Sequence, residues 1–185
     1  MNGKMRCPRM TTTKAARVLH GDEPGGCYGA AGMDSGAEEI TRFVEAARAY
    51  CRFVQDAGAY PPAARLRAAA QQLATLYAAS LSLPDPEPLP DVSEPSVERP
   101  RWAGFDDYDA YWEVYDPLKM EADSVVCGSL SDDILDVYSD VASGLALFDD
   151  GHVANAVWHW RFTRGVHWGD HAVDALRALQ RAIQR

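Results

Sequence analysis

The chain has 185 residues but only four cysteines, and no two of them form a C-x-x-C pair. A zinc knuckle and a dithiol redox motif are therefore not indicated. No apolar run approaches the length of a transmembrane span. Nor does one follow the start in the manner of a secretory leader. The expectation is a cytoplasmic protein with reduced thiols. A basic surplus is missing too: 18 Lys and Arg stand against 27 Asp and Glu, for a net charge of −9. Such a chain repels phosphate backbones and anionic lipid, so neither nucleic acid nor a membrane is expected as a partner. Gly26, Gly29 and Gly32 are spaced by threes, which is not the G-x-G-x-x-G of a phosphate loop. No stretch alternates with period two for long enough to predict a strand.

What is present is helical periodicity. Residues 1–34 hold turn and breaker residues without a pattern and read as an extended or disordered arm. Residues 35–185 read as a single helical domain. Ser35 and Glu38 form a capping box before Ile40, Phe43, Ala47, Tyr50 and Val54, which predicts a helix over 36–57. Pro61 and Pro62 open a second helix over 62–81. Six prolines in residues 84–100 forbid helix and interior strand, leaving an extended crossover. Phe105, Tyr108, Tyr111, Trp112 and Tyr115 recur every three to four residues and predict an aromatic helix over 106–116. Ser131 is expected to cap a helix over 131–149, and a last helix spans 152–184 with a bend at Gly165 or Gly169. The fold class is all-α, an antiparallel bundle of about five helices with one long Pro-rich crossover.

Charge is distributed unevenly. Residues 85–124 hold three Lys and Arg against twelve Asp and Glu, and residues 125–150 none against six, whereas 151–185 hold five against two. On a helical wheel, Val153, Val157, Trp160, Arg164, His167, Trp168, His171, Ala175 and Leu179 form one stripe of the last helix. Trp160, Trp168 and Leu179 are expected in the interior, and His159, on the opposite side, is expected to be more exposed. Arg164, His167 and His171 interrupt the apolar stripe, so they are expected to need partners. The simplest account is a network with carboxylates between residues 106 and 140. The sharper one is a metal site: His167 and His171 stand at i and i+4, Asp170 sits beside them, and Glu113 is a candidate outside ligand. Cys127, ahead of a helix start, is a weaker candidate nucleophile. Gly165 and Gly169 suggest a packing notch for Trp112 or Tyr115.

Three segments, "GFDDYDAYWEVYDPLK", "CGSLSDDILDVYSDV" and "HWGDHAVDALRALQ", are similar to a bacterial family known as domain of unknown function 5063. The likeness covers about residues 36–183 and is closest from Trp168 and Gly169 through Ala175, Leu176, Arg177, Ala178 and Leu179. The resemblance implies an all-helical bacterial domain and carries no activity and no catalytic residue. The leading expectation is a non-enzymatic cytoplasmic helical protein that binds another protein or a small molecule. The alternative is a metal-binding protein or metal-dependent enzyme using His167, His171 and nearby carboxylates. No cofactor is predicted apart from that candidate divalent metal.

Overall fold

The periodic residues of the first helix explain its packing. In the computed structural model, which describes residues 31–93, 95–114, 117–118 and 125–185, helix α1 spans Ala31–Gln55. It starts ahead of Ser35, and most of the arm expected over 1–34 lies outside the described residues. Phe43, Ala47, Tyr50 and Val54 are all fully buried. Helix α2, Pro62–Ser80, begins with proline at its first position and buries Leu66, Ala69, Leu73 and Leu76. A single 3-10 turn, Ala57–Ala59, joins the two, so they lie antiparallel. Arg65, buried at this corner, donates to the carbonyls of Ala57, Tyr60, Ala103 and Gly104, which ties the far end of the crossover to the helix pair.

Among its described residues the Pro-rich crossover forms neither helix nor strand. It is fastened at intervals instead. The Asn155 side chain both accepts from and donates to the Leu89 backbone, at 3.2 and 2.9 Å. Arg161 donates to the Leu83 carbonyl, and Arg99 reaches Asp136 and Ser139.

The aromatic segment does not form the expected helix. After a 3-10 turn at Asp106–Tyr108, strand β1 runs Ala110–Val114 and pairs antiparallel with β2, Val125–Ser129. The fold is therefore mostly helical with a small hairpin, not all-α. Aromatic and β-branched side chains favour a half-buried pleated surface, and here that preference prevails over their helical spacing. Tyr111 and Glu113 take the inner face, and Trp112 lies opposite Cys127 on the outer, exposed face. Gly128 faces Tyr111, and a Cβ there would meet the Tyr111 ring at 2.6 Å and Glu113 Oε2 at 2.9 Å. Its bare backbone lets the Tyr111 ring lie across the hairpin.

Helix α3, Leu130–Asp149, follows directly. Its cap is Ser129, whose hydroxyl accepts from the Asp132 N–H, rather than Ser131, which bonds to Asp109. The final rod has three parts: α4 at Val153–Thr163, a π turn at Arg164–Trp168, and α5 at Gly169–Ile183. Trp160 and Trp168 are fully buried, as is Leu179. The Trp160 ring packs 4.7 Å from Phe43 and donates its N–H to the Val141 carbonyl, and Trp168 donates to the Trp160 carbonyl. No described helix is long and apolar enough to cross a membrane.

The π turn corrects the helical wheel. One extra residue in the turn rotates the following helix by roughly 100° relative to an unbroken one. Before the turn the buried arc includes Asn155, Ala156, Val157, His159 and Trp160; after it the arc is Trp168, Ala172, Ala175 and Leu179. His159 is therefore buried, only 5% exposed, with Nε2 3.0 Å from the Asp140 carbonyl. Val153 is exposed, and Arg164, His167 and His171 sit at the border of the core rather than within it.

Candidate metal centre

Asp133, Asp136 and Asp140 recur at i, i+3 and i+7, which puts all three on one face of α3. The π turn carries His167 and His171 to that face. His167 Nδ1 lies 2.8 Å from Asp140 Oδ2, and His171 Nδ1 lies 2.8 Å from Asp133 Oδ1. The two imidazole rings are 4.9 Å apart and nearly perpendicular. With both Nδ1 atoms engaged, the nitrogens that remain for another partner are the Nε2 atoms. His171 Nε2 is 3.7 Å from Asp136 Oδ2. One ligand atom from each of Asp136, His167 and His171 lies within 4.8 Å of the other two.

Further polar and charged groups surround these three. Asp136 pairs through its other oxygen with Arg99 of the crossover, whose Nε also donates to Ser139 at 2.9 Å. From the hairpin, the Tyr111 hydroxyl lies 2.6 Å from Asp133 Oδ2 and 2.9 Å from Glu113 Oε2. Asp133 is buried, while His167 keeps 44% of its side chain in solvent. The centre thus has a dry floor and an open mouth.

Protonation follows from this placement. Burial raises the Asp133 pKa, and the hydrogen bonds from His171 and Tyr111 offset that only in part. Burial works against the His171 imidazolium, but the Asp133 hydrogen bond and the charges of Asp133, Asp136 and Glu113 outweigh it. Its pKa ends above the ordinary histidine value. Burial and the same two carboxylates push the Tyr111 hydroxyl far above its usual range, so it stays a donor. Without an ion, the raised His171 value favours its imidazolium, which offsets part of the surrounding negative charge.

The sequence-derived candidates divide as follows. His167 and His171 converge, and Glu113 stands behind them through Tyr111. Among the described residues Arg164 joins no acidic group; it donates to the carbonyl and hydroxyl of Ser80, at the end of α2. The unsatisfied carbonyls of a helix C-terminus are natural acceptors for a guanidinium. Asp170 is exposed and stands outside the group of three. Cys127 is on the outer face of the hairpin, away from Tyr111 and Glu113. The proposed notch is absent as well. Gly165 has open space around it, a Cβ on Gly169 would strike the Arg164 carbonyl of the π turn, and Trp112 is 71% exposed; Tyr115 lies outside the described residues. Sequence reasoning counted Asp136 only among several carboxylates and missed Tyr111 and Arg99. The available signal was the i, i+3, i+7 spacing of aspartates on α3, matched to the i, i+4 histidines.

Comparison with known proteins gives a family and a structure of similar fold. The family model described as "Domain of unknown function (DUF5063)" matches residues 35–184. The chain belongs to that family. Protein BF1032 from Bacteroides fragilis, a structural-genomics target, has a similar crystal structure, with a TM-score of 0.62 and 20% identity. The match covers 77% of this chain and 90% of that one, and at this identity it shows the DUF5063 chain's fold alone. No curated protein matches.

Proposed function

We propose that this DUF5063 domain binds one divalent transition-metal ion through the Nε2 atoms of His167 and His171 and a carboxylate oxygen of Asp136. Two imidazoles and one carboxylate are a donor set suited to iron, zinc and related ions. The observation that carries the reading is the second sphere. Each histidine already has its Nδ1 against a carboxylate, Asp140 or Asp133, the arrangement that fixes ring orientation and raises ligand basicity in metal sites. Ligands about 2.0–2.2 Å from an ion lie closer together than 4.8 Å, so binding contracts the group by about an ångström. Three protein ligands leave coordination positions open on the solvent side. That suits a site where a further molecule binds the ion, and less a closed structural site. Elemental analysis of untagged protein tests the proposal. One bound transition-metal ion per chain supports it, and metal-free protein that takes up neither Fe²⁺ nor Zn²⁺ stoichiometrically contradicts it.

A second reading, a helical protein that works through contact with another protein, has one observation in its favour. Trp158 and Phe162 stack on the outside of α4, 4.9 Å apart and 6° from parallel, and Val166 extends the exposed strip. Sedimentation velocity tests it. A mass that rises with concentration, and falls back in a W158S/F162S variant, supports a contact surface; a monomer throughout counts against it.

A further inference from the structure

A cleft of about 330 Å³ opens beside the hairpin, between β1 and α5. One wall is a line of guanidiniums. Arg177 and Arg181 stand at i and i+4 on one side of α5, and Arg185, just beyond the end of the helix, lines the same cleft. All three are exposed, and none bonds a carboxylate among the described residues. The helix dipole accounts for a cation in the last turn, and so for Arg181. It does not account for Arg177, a full turn earlier and facing the same cleft. The opposite wall is aromatic, formed by Tyr108, Tyr111 and the largely exposed indole of Trp112.

We infer that this cleft binds a small organic oxyanion that carries a flat ring. The guanidinium forks take the oxyanion, and Trp112 takes the ring. The volume falls at the lower end of small-molecule sites, which fits one ring and one acidic group. Asp107, Glu113 and Asp174 also border the cleft, so it is not a uniformly positive surface. Recognition rests on the planar, two-pronged geometry of guanidinium against oxyanion, which a carboxylate and a phosphate share. Of the bordering acids, Glu113 is turned to the Tyr111 hydroxyl. The cleft and the His–Asp face share Tyr111 as a wall, but the inference does not depend on a metal.

NMR titration of the full chain in the presence of EDTA tests the cleft alone, so its outcome and that of the metal proposal are separable. The probes are phenyl phosphate, benzoate and uncharged benzyl alcohol. The expected result is a saturable shift of the Trp112 indole N–H with one of the two anions, weakened at least about tenfold in R177Q/R181Q and in W112A. Tighter binding of phenyl phosphate assigns a phosphate ester, and tighter binding of benzoate assigns a carboxylate. All of these side chains are exposed, so the variants leave the core intact. Three results each overturn the inference: no saturable shift, benzyl alcohol binding as well as the anions, or unchanged affinity in the double-arginine variant.

Discussion

The two ends of α3 are built on opposite principles. Toward its C-terminus, Val141, Gly144 and Phe148 meet the Trp160 ring in a closely fitted contact. Toward its N-terminus, Asp133, Asp136 and Asp140 meet two histidines at the edge of solvent. The first contact gains from shape and burial, and its energy comes from excluding water. The second gathers like charges that repel one another and must be offset by protons, by Arg99 or by a cation. A fold that needed only stability would gain more from apolar residues in those three positions. The proposed ion would supply that offset, so the acidic end belongs to the proposed site and the apolar end to the core.

Substitutions at the two ends should separate these roles. The largest effect on stability is expected from Trp168→Ala or Trp160→Ala, each removing a fully buried indole at a cost of about 3–5 kcal/mol. Denaturant unfolding checks this, and neither variant speaks to metal binding. Gly144→Ala comes next. Its Cβ would overlap the Trp160 indole, which is held on all sides, so overpacking of about 1–3 kcal/mol is expected. At the polar end, His171→Ala leaves the buried Asp133 carboxyl without one of its partners, for a loss of about 1–3 kcal/mol in metal-free protein. Asp136→Asn should change metal-free stability least, because it removes one of three neighbouring like charges while also losing the Arg99 pair.

The pH response sharpens the same contrast. The folded-state pKa of His171 lies above its ordinary value, so its contribution to stability is complete below about 6.5 and is lost as the pH rises through the folded-state value. Metal-free protein should therefore lose stability as the pH rises from about 6.5 through the folded-state value of His171, and H171Q should flatten that slope. An ion reverses the sign. It must displace the proton from His171, so metal affinity and metal-bound stability should rise over the same interval. Thermal unfolding with and without Zn²⁺ reads both slopes.

How far the sequence went depends on the range of each interaction. Helices α1, α2 and α3 were legible because their apolar residues repeat locally, as at Phe43, Ala47, Tyr50 and Val54. The hairpin was not, because Tyr108, Tyr111 and Trp112 fit a helical spacing, and only pairing with residues 125–129 decides for strand. The π turn leaves almost no local trace beyond Gly169, yet it sets which faces of the last rod are buried and turned the expectation for His159 from exposed to buried. Within the site, the pairing of histidines with carboxylates was legible from charge placement. The partner of Arg164 was not, because the α2 carbonyl it reaches is brought near only by tertiary packing.

Calorimetric titration of metal-free, untagged protein with Zn²⁺ at about pH 7.5, set beside Asp136→Asn and Asp140→Asn, tests the central claim most directly. The account predicts one site per chain. Asp140→Asn should weaken it by about 10–100-fold, as expected for a residue that orients a ligand, and Asp136→Asn by more than that. Wild type and Asp136→Asn binding Zn²⁺ equally well, or neither binding it at all, would contradict the account and leave the aspartates and histidines of this face as a structural charge network.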